Sequence, residues 1–262
     1  MIRALYTSAT GMNAQQTNID VISHNLANVN TTGYKSGRAE FQDLIYQQVV
    51  EPGARTSDTT QNPTGIQVGL GVKTSSIQKV FIQGDLKNTD RSLDVAIEGE
   101  GFFKVQLPNG DSAYTRTGSF KLDKDGKIVT AEGYELDPSM TVPNDVTSIS
   151  ISSDGIVSVT QPGSTSLTDL GQLTAVRFPN QAGLKAMGKN LYLETEASGA
   201  PVEGLFYQDG FGALNQGFLE TSNVSVVEQV VNMITAQRAY EASSKGITTS
   251  DEMINLALQM KR

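Results

Sequence analysis

The residues that could perform chemistry in this chain are few and scattered. The single histidine, His24, has no second histidine with which to share a metal ion, and the chain contains no cysteine. Metal sites and acid–base pairs need several such groups close together. We therefore expect His24 to lie on a helix surface beside a partner, and we expect no metal ion and no cofactor.

Acidic and glycine-rich motifs are also incomplete. Asp123 and Asp125 precede Gly126 as in a calcium loop, but the third acidic position and the closing glutamate are missing, so a β-hairpin turn is expected there. Glu98 and Glu100 would serve a glycosidase only if they faced each other across a cleft, and the glycine between them indicates a turn. The sequence thus offers no catalytic residue, and a cell-wall carbohydrate hydrolase remains only a remote alternative.

The amino-terminal stretch has a regular apolar pattern instead. Leu5, Met12, Ile19 and Leu26 recur every seven residues, with Ile22 and others at offsets of three and four. This spacing predicts a helix over residues 2–29 with a narrow apolar seam, followed by an exit in which Gly33 adopts a positive φ.

The carboxy-terminal stretch repeats the pattern. Val226, Met233, Tyr240, Ile247 and Ile254 fall on a seven-residue repeat, with small residues three places further on. Residues 225–228 are typical of a capping box that opens a helix running to residue 260, about 50 Å long. We expect the amino-terminal and carboxy-terminal helices to pack against each other.

Two arrangements fit these helices. A monomer could close its ends into one hairpin, but valines beside the repeat make the second apolar stripe wider than one partner covers. Further copies of the chain would supply the missing helices. The self-assembly residues that we predict are Leu5, Met12, Ile19, Ile22, Leu26, Val29, Val226, Val230, Met233, Ile234, Tyr240, Ile247, Ile254 and Leu258.

Between the two predicted helices, the sequence pattern changes to one typical of short strands and tight turns. Residues 35–50 predict either a short helix or an extended arm, and the polar stretch 51–65 predicts either a disordered loop or an arm that orders against a neighbouring subunit. Short apolar or alternating runs then recur, separated by glycine turns such as 109–110 and 154–155. The runs lie at 79–83, 93–97, 102–107, 127–129, 148–152, 156–160, 173–178 and 191–194.

The predicted fold class is α+β: long terminal helices forming a coiled-coil-like module, with an inserted all-β domain. We expect residues 1–34 and 222–262 to form the helical module, residues 35–75 a connecting arm with a polar insert that bridges subunits, and residues 76–221 the β domain. No run of about 18 apolar residues is present, so a membrane protein is not expected. The net charge is −8, carried by the middle, which disfavours nucleic acid as a partner.

Several stretches also resemble a known family. Residues 18–35 (NIDVISHNLANVNTTGYK) and 223–241 (NVSVVEQVVNMITAQRAYE) closely resemble the terminal signatures of flagellar rod and hook axial proteins. Residues 95–105 and 113–120 are similar to stretches shared by rod and hook members. The chain length, GIQVGLGV at 65–72 and QGFLETSNV at 216–224 resemble the distal-rod members most, with proximal-rod or hook-type proteins as the alternative.

The resemblance implies a structural role and no enzymatic one. Such a subunit would leave the cell through the flagellar type III export apparatus without a cleaved signal peptide, and would polymerise between the periplasm and the outer membrane. The product would be a homo-oligomeric helical tube, a rigid drive shaft that joins the proximal rod proteins to the hook protein inside the P-ring and L-ring proteins. By the same resemblance, residues 46–65 would bridge subunits and keep the tube straight.

Overall fold

The computed structural model describes residues 2–53, 63–143, 145–162 and 167–260. The chain forms two compact units. Residues 1–27, 37–79 and 225–262 make up the first, called here the terminal unit. Residues 28–36 and 80–224 make up the second, called the β unit. Within the described residues the secondary structure is a helix at each end and a mostly β middle, which confirms the α+β class.

The terminal unit contains α1 (Ile2–Ala27) and α2 (Val226–Gln259). The helix predicted over residues 2–29 is therefore present, and Gly33 has the predicted positive φ of 68°. The capping box is wrong in one respect. Ser225 occupies the N-cap position of α2, but its side chain makes no capping hydrogen bond.

The two helices are antiparallel and approach each other closely at small residues. A Cβ on Gly11 would lie 3.3 Å from Ser243 Oγ, and one on Gly246 would lie 2.9 Å from Ser8 Oγ. Ala236 is only 3% exposed. Gly246 therefore interrupts α2 where a larger side chain would push α1 away, which explains a residue that otherwise weakens a helix.

A β-ribbon completes the terminal unit. Strand β1 (Gly37–Asp43) pairs with β4 (Val72–Lys79), and β2 (Tyr46–Val50) pairs with β3 (Ile66–Gly69), both antiparallel. Of the two alternatives for residues 35–50, the structure thus has the extended one. Most of the polar insert, residues 54–62, lies outside the described residues.

The β unit is built from short antiparallel strands. The strands are β5 (Leu86–Asn88), β6 (Val95–Glu98), β7 (Phe102–Gln106), β8 (Ser112–Thr115), β9 (Lys121–Leu122), β10 (Ile128–Val129), β11 (Glu135–Asp137), β12 (Ser148–Ile151), β13 (Ile156–Thr160), β14 (Leu167–Gln172), β15 (Thr174–Arg177), β16 (Lys185–Gly188), β17 (Leu191–Leu193), β18 (Val202–Leu205), β19 (Ala213–Gln216) and β20 (Phe218–Glu220).

The largest sheet of the β unit has nine strands among the described residues, with the path β16-β17-β8-β7-β11-β10-β9 and with β15 joining β7 to β18. Smaller sheets are β12-β13-β14, β19-β6 and β20-β5, and a 3₁₀ turn spans Gln181–Gly183.

The central strand β7 is covered on both faces. Successive side chains of a strand point to opposite faces, so Phe102 and Phe103 enter different apolar clusters. Phe103 meets Phe120 edge to face, with ring centroids 5.1 Å apart. Phe102 packs against Phe178 and Tyr192. Both aromatic residues of this strand are therefore buried.

One predicted strand is wrong. Residues 80–83 are irregular, because their backbone groups bond to connecting segments of the chain. The Val80 amide donates to the Ser36 carbonyl at 2.8 Å, and the Val80 and Ile82 carbonyls accept from Asn223 Nδ2.

Candidate assembly surface and buried junction

The first two turns of α2 present an apolar face to solvent. Val227 is 76% exposed, Val231 54% and Ile234 52%, and Val230 lies beside them. At about 100° per residue, this face is about half a turn away from Ala236, which is buried. An exposed apolar cluster of this kind marks an interaction surface. We call Val227, Val230, Val231 and Ile234 the outer face of α2.

The outer face ends where charge begins. Arg238 and Glu241 follow at helical spacing and form an exposed ion pair at 3.1 Å. A surface pair of this kind adds little stability. It shows that the apolar run of this face is interrupted after Ile234.

The predicted self-assembly residues fall into two groups in the structure. Several lie half-buried or buried: Leu5, Met12, Ile19, Ile22, Leu26, Val29, Met233, Ile247 and Ile254. Others are exposed: Val226, Val230, Ile234, Tyr240 and Leu258. Val29 belongs to the β unit, whereas the rest belong to the terminal unit. The first group therefore lines packing that already exists in one chain, and the second is available for a partner.

A buried asparagine in α1 was not among the predicted site residues. Asn25 is 3% exposed, and its side chain holds Gly37 by both backbone groups: Nδ2 donates to the carbonyl at 2.8 Å, and Oδ1 accepts from the amide at 2.7 Å. Nδ2 also lies 3.3 Å from Gln229 Oε1 on α2. Asn25 thus ties α1 to β1 and α2. A poor helix former next to an apolar seam is the signal that could have identified it.

A second network that sequence reasoning missed lies inside the β unit. The carboxylate of Glu220 accepts from Lys35 Nζ at 2.5 Å and from Arg116 Nε at 3.0 Å. The side chains of Lys35 and Glu220 are each 1% exposed, and that of Arg116 is 5% exposed. The Gly84 amide donates to Glu220 Oε1 at 2.9 Å. Buried charges persist only when they are paired and hydrogen-bonded, as these are.

The second cation of this network also has neutral partners. Arg116 Nη1 donates to the carbonyls of Gly99 and Gly101 at 2.9 and 2.5 Å. Lys35 Nζ donates to the Ile82 carbonyl at 2.8 Å. Every charged side chain of the trio is therefore bonded to more than one group, so two cations can share one buried carboxylate.

Burial governs the ionisation of this junction. Desolvation lowers the pKa of Lys35. The charge of Glu220 offsets part of this lowering, whereas the charge of Arg116 adds to it. Desolvation raises the pKa of the neighbouring Tyr34 to about 12 and raises that of Tyr192 beyond the ordinary range. Both tyrosines therefore stay protonated to a higher pH than an exposed tyrosine does.

Residues considered for catalysis lie apart from this network or serve as turns. His24 is exposed on α1, and Glu98 accepts from Asn215 Nδ2 at 2.7 Å. Glu100 lies 3.8 Å from the Arg177 guanidinium on an open groove. The Gly126 amide donates to the Asp123 carbonyl at 2.9 Å, as expected for a hairpin turn.

Among the residues that the structure describes, no group of three or more histidine, cysteine, aspartate or glutamate side chains could hold a metal ion. In the same part of the chain, no helix has both the length and the apolar character needed to cross a membrane.

The structure defines a class of protein: a chain with two terminal helices in contact, an exposed apolar helix face and a β unit inserted between the helices in sequence. Three family descriptions match this chain. "Flagella basal body rod protein" matches residues 5–35, "Flagellar hook protein FlgE/F/G D1 domain" matches 96–159, and "Flagellar basal body rod FlgEFG protein C-terminal" matches 215–260.

Curated relatives match over the whole chain. Flagellar basal-body rod protein FlgG of Buchnera aphidicola (subspecies Acyrthosiphon pisum) is 50% identical over 99% of this chain and all of its own length. FlgG of Borreliella burgdorferi is 50% identical over the full length of both chains. Flagellar hook-basal body complex protein FlhP of Bacillus subtilis is 32% identical over 98% of each. The chain belongs to the flagellar basal-body rod protein family, and it is more similar to these FlgG proteins than to FlhP.

Proposed function

We propose that this chain is the structural subunit of the flagellar distal rod and polymerises through its terminal helices into a rigid tubular drive shaft. The observation that carries this proposal is the outer face of α2, an apolar surface that one chain leaves uncovered. The FlgG relatives support the rod assignment, because they match the chain from end to end at up to 50% identity.

The energetics favour a copy of the same chain as the partner on the outer face. Burying one valine or isoleucine side chain contributes about 1.5–3 kcal/mol, so four half-exposed ones contribute about 4 kcal/mol per contact. In a helical polymer, every subunit repeats the same contact and gains this contribution. Coiled-coil packing between α1, α2 and neighbouring helices would use the predicted seam together with the outer face.

The β-ribbon supports a bridging role for the arm. In or next to the pair of strands β2 and β3, four apolar side chains are more than half exposed: Ile45, Tyr46, Val49 and Ile66. A two-stranded ribbon is marginally stable without a surface to pack on. Contact with a neighbouring subunit would cover these side chains, in line with the proposed role of residues 46–65 in keeping the tube straight.

The remaining partners follow from the place of such a shaft. The proximal rod proteins would meet one end and the hook protein the other, while the P-ring and L-ring proteins would surround it. The acidic middle of the chain suits a surface that must turn without adhering. Export through the type III apparatus, without a cleaved signal peptide, would deliver the subunit to the periplasm.

The test is assembly of the purified full-length chain, followed by negative-stain electron microscopy. We expect straight tubes or short rods from the native chain, and none from Met233→Lys or Ile19→Lys, which place an ammonium in the seam. Because both residues are half-buried within one chain, circular dichroism must first show that each variant is folded. Gln15→Lys, on the polar flank of α1, is the matched control. Its assembly should be closer to that of the native chain than the assembly of either seam variant. Tubes formed by both seam variants would refute assembly through the terminal helices.

A further inference from the structure

The chain passes between the terminal unit and the β unit at four places, after residues 27, 36, 79 and 224. The segments on the β-unit side of these passages are residues 28–36, the residues from 80 onward, and those up to 224. Glu220, Lys35 and Arg116 are bonded to one another where these three segments meet.

The connecting segments are bonded directly to one another. The Gly33 amide donates to the Glu220 carbonyl at 2.8 Å, and the Ser36 amide donates to Asn223 Oδ1 at 2.8 Å. Asn223 Nδ2 in turn donates to the Val80 carbonyl at 2.9 Å. Hydrogen bonds thus connect three segments of the β unit to one another: residues 28–36, 80–84 and 220–223.

Charged side chains strengthen the contacts between these three segments. Lys35 Nζ bridges two segments, because it donates to Glu220 Oε1 and to the Ile82 carbonyl. Glu220 also accepts from the Gly84 amide, and Arg116 anchors the same carboxylate to the body of the sheet. Hydrogen bonds to charged groups are about twice as strong as neutral ones, and here they are shielded from water.

We propose that the Lys35–Glu220–Arg116 trio is a mechanical clamp that gathers every segment connecting the β unit to the terminal unit. Force applied to the terminal unit is then shared by three segments at once and does not peel one strand at a time from the β unit. The clamp needs two residues that lie 185 positions apart in sequence, so it closes only when the segments that hold Lys35 and Glu220 come together within the β unit. Its value for torque transmission rests on the proposed function, whereas the clamp itself does not.

Single-molecule pulling on the full-length chain tests the clamp directly. Because the chain has no cysteine, pairs of introduced cysteines are the only attachment points. Asn30→Cys with Ser225→Cys pulls the connecting segments apart, and Asn109→Cys with Lys124→Cys pulls across the β unit between two turns. All four positions are exposed.

Lys35→Met removes one cation of the clamp and leaves Glu220 paired with Arg116. We expect the rupture rate at a fixed force to rise about tenfold or more for the 30/225 pair, and to change far less for the 109/124 pair. Lys104→Met is the matched control, since Lys104 also bridges two carboxylates, Asp137 and Glu203, both at 2.8 Å. It should leave the 30/225 rupture rate unchanged.

An equal effect of Lys35→Met in both pulling directions would overturn the proposal, because it would mean that the trio only adds to overall stability. No effect in either direction would overturn it as well. Should Lys35→Met not fold, Arg116→Lys keeps the charge, loses the forked hydrogen bonding and should show the same directional weakening. None of these outcomes depends on polymer formation, so failure of the clamp and failure of the proposed function are distinguishable.

Discussion

Replacing Ile234 with lysine should block polymer growth without unfolding the subunit. Ile234 is 52% exposed in the single chain, so Ile234→Lys costs the isolated fold little. In the polymer, the contact loses about 1 kcal/mol of apolar burial and gains a desolvated ammonium, for a total of about 3 kcal/mol or more. That loss at each addition step raises the critical concentration for assembly about 100-fold.

The assay is sedimentation of the purified chain over a range of concentrations, with circular dichroism and thermal melting of the soluble fraction. Gln237→Lys is the matched control, because Gln237 is also exposed on α2 but is polar already. An unchanged critical concentration for Ile234→Lys, with the control alike, would refute the assignment of the outer face. A large drop in melting temperature would show that Ile234 supports the monomer instead.

Three further outcomes follow from the contacts described above. Asn25→Ala should lower the unfolding free energy by about 2–3 kcal/mol in urea titrations, because the partly buried amide and carbonyl of Gly37 lose their hydrogen bonds to the Asn25 side chain. Asn13→Ala, on the exposed flank, should not have this effect. Gly246→Leu should destabilise the helix pair by about 1–3 kcal/mol, since even a Cβ would lie 2.9 Å from Ser8 Oγ. A second substitution, Ser8→Gly, should restore part of this loss. Full stability of Gly246→Leu alone would contradict the close approach of the helices. Burial raises the pKa of Tyr34 from 10.0 to about 12, so its contribution to stability is complete below pH 10 and is lost as pH rises through 12. Tyr34→Phe should flatten that part of an unfolding profile against pH. The lowered pKa of Lys35 has the opposite sign, because it favours the fold as pH rises, but its effect is complete once the pH passes the ordinary lysine pKa of 10.5.

The sequence pattern predicted the helices well because their signal is local. The seven-residue repeats predict the extent of α1 and α2 to within about two residues. Turns were equally accessible, since Gly126 and Gly155 have positive φ values of 76° and 90° in the turns predicted there. Such features depend on residues within a few positions of each other.

The contacts that sequence reasoning missed depend on distant residues. Lys35 and Glu220 are 185 positions apart, and nothing in either local pattern indicates that one neutralises the other. The predicted strand at 79–83 failed for a related reason: its apolar alternation was real, but the backbone of Val80 and Ile82 bonds to Ser36 and Asn223. Tertiary hydrogen bonds there outweigh local β-propensity.

The most direct test of assembly through the terminal helices is the reactivity of a thiol on the outer face. Val227 is 76% exposed in the single chain, and in the Val227→Cys chain the introduced thiol is the only one. We expect a maleimide to label it readily in dilute monomer and to label it at least tenfold more slowly in the assembled rod, as burial in an interface requires. Asn109→Cys, on a turn of the β unit, should react at similar rates in both states. Equal labelling of Val227→Cys in monomer and rod would show that the outer face stays in water, and would contradict the account.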